Sequence, residues 1–503
     1  MPTLTLKTAL VNGLRDKEEA HRNIEFLTDS YNCRHMPFGA GVFNGIVQPL
    51  VKVVTHPFPQ MFVGKRKLLM VGENTISHLS RTYVESAYSI DTLASVIGFS
   101  ADDYANLGGG LSTGGGVWHF AEIGDNFILC NGAGVLIQST DHLGALNRSA
   151  GFLKVQGSNT VYPLTCCELN GRFILGGLAN LRSAAYDTAM NTTSGITNFN
   201  SAGLTDRAIY WSSSSGVDAL WWFFTALMTD GGEIVSRVLE RNEHGFATVP
   251  WQDAVWIVKP LGEGFMAYGE HGMSYFRQNG LGFDQIDVAS FGVYDRGSVG
   301  GDRNEHLILS TEGALYKITP NLELSRASTF DSAKLDYREI FDGFVTAGTD
   351  VTISYAAQMK EYYIANSDTC YVLTESGLSE CSQVITSVGQ HLGNDIGFFE
   401  PNSDAEMRVM SDVFDMDSRS VKTIRSIHLG ANDPDDFQVR IHHRYLASAS
   451  FDSTAYVTCK GTGSCSVRAS GSEFMVEVKA TTGSGKSIEN IYVNWDRKRR
   501  VLA

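Results

Sequence analysis

Short apolar runs that enter a Gly- or Asx-rich turn and leave it as a second run recur six times along this chain, at 67–74, 127–134, 173–177, 265–272, 307–313 and 362–368. The first copy, Leu68-Leu69-Met70-Val71-Gly72-Glu73-Asn74, shows the pattern, and Phe265-Met266-Ala267-Tyr268-Gly269-Glu270-His271-Gly272 repeats it. Each copy predicts a β-hairpin. A two-stranded unit cannot bury both of its faces alone, so recurrence at roughly 40 to 60 residues predicts blades of a β-propeller stacked around an axis. The longest interval, between the third and fourth copies, is too long for one blade. It hides either a blade with a degenerate hairpin or an insertion.

Beyond residue 345 the pattern changes to longer strands in alternation, at 351–355, 361–364, 437–442, 474–478 and 491–495. Period-2 alternation between Gly, Asn and Asp turns predicts antiparallel sheets with one solvated face, as a sandwich or barrel. The expected fold class is therefore all-β, a β-propeller with an additional antiparallel β-sandwich or barrel domain. Three segments follow: an extended N-terminal arm at 1–50, containing Pro37-Phe38-Gly39-Ala40-Gly41; propeller blades with loop insertions at 51–345; and a C-terminal antiparallel β domain at 346–503, whose first hairpin is open to either body. The arm is of the kind that docks on a neighbouring domain or subunit. The glycine tract at 108–116 and the Asn/Thr/Ser-rich segment at 188–203 read as surface loops.

Composition agrees with a folded, turn-rich β protein: 503 residues, 43% hydrophobic, 51 Gly, only 11 Pro and 19% charged. The net charge of −15 and the shortness of the basic patches, such as Lys65-Arg66-Lys67, oppose tight wrapping of nucleic acid, which needs cations to neutralise phosphate. An acidic surface fits either the lining of a channel along which DNA slides or an ordinary solvated surface, and charge alone does not choose between them. The first nineteen residues carry no apolar run of signal length, and the longest apolar stretch, 219–228, falls short of the ~20 residues of a spanning helix. A membrane-integral chain is not expected. Eight cysteines without a CxxC pair suggest neither a disulfide framework nor zinc.

The candidate chemistry is sparse. Gly483-Ser484-Gly485-Lys486-Ser487 looks like the end of a phosphate-binding loop, yet Ala480 stands where that motif needs its first Gly, and a strand-like run follows where it needs a helix. The run Ser212–Ser215, followed by Asp218 and Trp221, faintly resembles the turns of sialidase propellers but lacks their Asp-x-Gly order. A glycosidase would also need two carboxylates at a set separation. His442 and His443, and likewise Cys166 and Cys167, are adjacent on predicted strands, so their side chains diverge and cannot share a metal. Cys459 and Cys465 bracket a five-residue loop and can face one another; reduced thiols are favoured over a disulfide for a chain assembled in cytosol. Asp433, Asp435 and Asp436 read as a solvated turn. Trp221, Trp222, Phe223 and Phe224 read as strand core or, if exposed, as an interface or tip that docks a partner. No nucleophile elbow or triad spacing occurs, so no catalytic, metal or cofactor site is expected and the chain is not expected to be an enzyme.

The order of features resembles the tail nozzle, or second tail-tube, proteins of short-tailed bacteriophages, including those called DNA-stabilisation proteins. The residues that carry the likeness are Arg207-Ala208-Ile209-Tyr210-Trp211-Ser212, Gly292-Val293-Tyr294-Asp295-Arg296-Gly297-Ser298-Val299, the run 307–316, Glu361-Tyr362-Tyr363-Ile364, the run 414–424, Arg444-Tyr445 and Asn494-Trp495-Asp496-Arg497. The resemblance implies a structural virion protein, made in the host bacterial cytoplasm. It implies a hexameric ring that serves as conduit and closure for genome DNA below the portal and adaptor. Portal-adaptor proteins, tail fibre or spike proteins and transient contact with double-stranded DNA are its implied partners. The alternative is a propeller that recognises a glycan or protein receptor at the cell surface.

Overall fold

The computed structural model describes residues 2–15, 24–43, 48–49, 60–63, 68–71, 75–84, 87–92, 97–98, 117–124, 126–132, 135–138, 162–179, 206–212, 245–280, 282–327, 337–391, 394–400, 406–416, 420–480 and 486–497. Seven antiparallel strand groups among them form a closed ring, the blades of a β-propeller. The innermost strands of the blades are, in order, Gln60–Val63, His119–Ile123, Tyr162–Leu169, Ile257–Leu261, Val299–Gly301, Thr352–Ala356 and Val384–His391. The seventh blade is completed by Gln48–Pro49, which runs parallel to Asn394–Glu400. A strand from before the first blade thus closes the last one.

Five of the six recurring hairpins form where the sequence places them. The turns are built by the residue types that mark them. Asn366 Oδ1 accepts the backbone N–H groups of Asp368 and Thr369, and Ser310 Oγ accepts that of Ala314. The third copy is different. Phe173-Ile174-Leu175 continues through Gly176-Gly177 as the single strand Arg172–Ala179, and the chain reverses upstream at Asn170-Gly171, both at positive φ. Gly176 is small for another reason: a Cβ there would lie 2.8 Å from Val255 Cγ1 of the next blade. The long interval after it falls inside the third blade, whose third and fourth strands are Ala208–Trp211 and Gly245–Thr248.

The blades are bonded to one another near the axis, junction by junction. Trp118 N–H donates to Gln60 Oε1, Gly132 N–H to Pro163 O at 2.8 Å, and Val258 N–H to Thr165 Oγ1 at 3.0 Å. His306 Nε2 lies 2.9 Å from Pro260 O, Ile353 N–H donates to Gly297 O at 2.8 Å, Ser354 Oγ donates to Thr386 O at 3.1 Å, and Met61 N–H donates to Ser387 Oγ at 2.9 Å. Apolar side chains fill the space between blades, as where Phe265 and Phe276 stack at 4.9 Å. Burial of one such ring contributes about 1.5–3 kcal/mol.

The C-terminal residues form a β-sandwich. Phe437, Val439 and Ile441 alternate inward with Val476 and Val478, facing Ile427, Leu429, Ile491 and Val493 of a second sheet. The N-terminal residues dock on both bodies. Thr3–Thr5, Cys33–Met36 and Gly39–Val42 pair into the sandwich, while Leu27–Tyr31 lies between Met407–Ser411 of the sandwich and Leu378–Cys381 of the sixth blade. The hairpin that begins at Thr352 therefore belongs to the propeller ring and also to a ten-stranded sheet that continues into the sandwich.

One expectation is corrected in this sandwich. Cys459 and Cys465 form a disulfide, with Cα atoms 4.4 Å apart, where reduced thiols were favoured. The turn between them, closed by Gly463 N–H to Lys460 O and Lys460 N–H to Ser464 O, brings the two positions into register. Asp436 pairs with Lys486 at 2.6 Å, so the lysine of the phosphate-loop look-alike is neutralised by the acidic turn, and Ser487–Arg497 that follows is a strand.

Candidate functional site

The seven inner strands converge on an axial cavity of about 340 Å³. A volume of this size matches a small-molecule site and is far too small for a nucleic-acid duplex. Each blade contributes to the wall. Gln60, Met61 and Phe62 come from the first, Trp118, His119 and Phe120 from the second, Lys259 from the fourth, Arg296 from the entry to the fifth, Ser354 and Tyr355 from the sixth and Ser387 from the seventh. Phe62 and Phe120 stack at 5.5 Å with a 23° interplanar angle, which gives the wall an aromatic face.

Arg296 is placed by the segment Gly292–Val299, one of the runs that carried the family resemblance. Asp295 accepts N–H groups from Arg296 and Val351, Ser298 Oγ donates to Asp295 O, and Gly297 lies where a Cβ would sit 2.2 Å from Val351 O. This folded knot needs Gly and short polar residues, and it directs the Arg296 side chain across the ring. Its guanidinium donates to Asn131 O in the second blade at 3.2 Å.

The charge in the cavity is unbalanced. Lys259 makes no hydrogen bond or ion pair among the described residues, and burial, opposed by the Asp302 charge, lowers its ammonium to about 8. Burial likewise lowers Arg296, opposed by Asp295. Among the described residues neither carboxylate forms an ion pair with these cations; Asp295 accepts backbone N–H groups and Asp302 accepts from Asn304. His119 is pushed down to about 3 by burial and then by Arg296 and Lys259, so it is neutral, and its Nε2 is buried with no partner among the described residues. The arrangement offers hydrogen-bond donors and positive charge to whatever fills the space.

Of the residues singled out in the sequence as candidate ligands, Cys166 and Cys167 line this cavity. Trp221, Trp222, Phe223 and Phe224, and the glycine tract at 108–116, lie outside the described residues. His442 and His443 diverge as alternation requires. His442 Nε2 donates to Glu477 Oε2 at 2.7 Å, while His443 packs edge-on against Tyr445. Cys166 and Cys167 are both largely buried, and burial raises both thiols well above their ordinary range. A buried Ser–His contact, Ser30 Oγ to His35 Nε2 at 2.8 Å, holds the N-terminal segment and has no access to solvent. The cationic group was not singled out in the sequence, because Lys259, Arg296 and His119 stand on three different blades with no spacing in common.

No family model matches the chain, and no curated protein matches it. Among solved structures it is similar to the WD40 β-propeller domain of Doa1, at 10% identity over 73% of this chain and 92% of that one, with a TM-score of 0.31. It is also similar to the Pan2 WD40 domain of Neurospora crassa, at 7% identity over 69% and 90%, with a TM-score of 0.33, and to BamB from Moraxella catarrhalis, at 9% identity over 73% and 95%, with a TM-score of 0.32. The propeller assignment stands on the ring of sheets described above rather than on these likenesses.

Proposed function

We propose that the protein is a recognition module built on a seven-bladed propeller, with the axial cavity as its binding site. The observation that carries this reading is the convergence of all seven inner strands on one walled space that combines stacked aromatics, two cations in contact with no carboxylate among the described residues, and an imidazole whose buried Nε2 has no partner among them. Propellers host many functions, so the fold alone selects none of them. The site supports recognition: a wall bonded at every blade junction is preorganised, and preorganisation lowers the cost of binding. The test is a ligand-observed NMR screen of sugars and small metabolites against the wild-type protein and against Ser354→Trp, which fills the cavity. Compounds bound by the first and not by the second support the reading. Hits that persist in the plugged variant put recognition elsewhere.

A second reading, a structural ring subunit of a short phage tail, is supported by the continuous sheet that joins propeller and sandwich into one stiff body. In that setting DNA passes between subunits, since the propeller axis is too narrow. Light scattering of the purified chain, alone and with portal–adaptor complex, decides it: hexamers, or six copies joined to the particle, support the ring, and a monomer that ignores the particle overturns it.

A further inference from the structure

We propose that the axial cavity binds a small oxyanion carried on a sugar-sized ring, with Lys259, Arg296 and His119 holding the anionic group and the Phe62–Phe120 pair stacking against the ring. The inference deepens the recognition reading and rests on it. Three facts converge. Lys259 and Arg296 both line a cavity in which no carboxylate among the described residues makes contact with either, although Asp295 and Asp302 lie close enough to be felt. A half-buried cation that no carboxylate contacts is costly to desolvate, and an oxyanion offsets that cost while accepting charge-assisted hydrogen bonds.

His119 adds direction. Its buried Nε2 has no partner among the described residues, so a neutral imidazole protonated there has a donor to give, and an anion gains more from it than a neutral ligand does. Charged or imidazole groups from three blades therefore line one cavity. The aromatic pair lies beside them, on the first and second blades, at a stacking distance of 5.5 Å. Apolar faces with a few convergent polar groups are how small-ligand sites fix orientation. A carboxylated sugar uses both halves of the wall, whereas free phosphate uses the cationic half alone.

The experiment titrates the full chain with D-glucuronate, D-glucose and inorganic phosphate by calorimetry, and follows the His119 ring signals by NMR during the phosphate titration. Glucuronate is expected to bind at least about tenfold more tightly than glucose, because one charged hydrogen bond is enough for that factor. Phosphate is expected to compete with glucuronate and to shift the His119 titration upward. Lys259→Met, which keeps the aliphatic stem, is expected to weaken glucuronate at least about tenfold more than it weakens glucose. Equal binding of glucose and glucuronate would overturn the anion assignment and leave the recognition reading standing. Absence of any phosphate effect on His119, measured on the wild-type protein, would overturn it even if the variant did not fold. Failure of the recognition reading itself shows separately, as hits that persist in Ser354→Trp.

Discussion

Tyr268 and His306 share a buried hydrogen bond between the fourth and fifth blades: the phenol oxygen lies 2.6 Å from His306 Nδ1. The opposite ring nitrogen lies 2.9 Å from Pro260 O, which can only accept, so Nε2 carries the hydrogen and Nδ1 accepts from the tyrosine hydroxyl. Both side chains are fully buried. Tyr268→Phe keeps the ring and removes the donor, leaving Nδ1 unsatisfied. The expected loss is about 1–3 kcal/mol in urea unfolding. A neutral result would mean that water or a repacked neighbour replaces the bond.

The same histidine sets a pH dependence. His35, His119 and His306 are held down to about 4, about 3 and about 3, in each case by burial first. A histidine with a lowered folded pKa binds its proton more readily when unfolded, so stability is complete above about pH 6.5 and falls as pH drops from there toward 4. Glu477 acts in a lower window. Burial raises its carboxyl, but hydrogen bonds from His442, Tyr456 and Arg440 outweigh it and hold it at about 2, so its contribution is present above about pH 4.5 and is lost as pH falls through 2. Urea midpoints should therefore decline already between pH 6.5 and 5, where Glu477 is not involved. A flat midpoint across that interval would contradict the burial of these rings.

The junction between propeller and sandwich gives a third prediction. Arg34 pairs with the buried carboxylate of Glu361 in the sixth blade, donating from Nη2 to Oε2 at 3.0 Å, and Tyr363 donates to the same oxygen at 2.9 Å. Arg34→Ala leaves Glu361, whose side chain is 4% exposed, without its cation. Breaking one side of a buried pair typically costs about 3–5 kcal/mol. Arg34→Ala combined with Glu361→Gln should recover part of it. Equal instability of the single and double variants would show that packing of the arginine stem, and not charge, is what matters.

How much of this was legible in the sequence differs from element to element, for physical reasons. Hairpins such as 265–272 announce themselves because the apolar runs and the turn residues are neighbours in the chain. The alternation of Phe437, Val439 and Ile441 is equally local, and it led to the sandwich. Gly176-Gly177 misled because glycine marks both turns and close packing, while the Asn170-Gly171 turn three residues upstream of Phe173 was passed over. The strand Leu27–Tyr31 joins two bodies through contacts such as Ser30 to Ser379, 349 residues apart, and no local pattern encodes such a pairing. The cavity is the extreme case. Lys259, Arg296 and His119 are single residues in ordinary strands or turns, and only ring closure brings them together.

The cysteines supply a last prediction with a count attached. Cys459 and Cys465 are joined, and the other six, Cys33, Cys130, Cys166, Cys167, Cys370 and Cys381, are free and buried. Burial raises Cys33 to about 12, and it also raises Cys166, Cys167 and Cys381, so few thiolates exist in the folded chain and alkylation of the native protein should be negligible. Denatured without reductant, the chain should take up six labels, and after reduction eight. Closing so short a loop restricts the unfolded chain by about 2 kcal/mol in the entropy model, so Cys459→Ser with Cys465→Ser should lower stability by that order. Eight labels without reductant would show the pair to be reduced as isolated, and the double variant would then lose only what the two thiols contribute by packing.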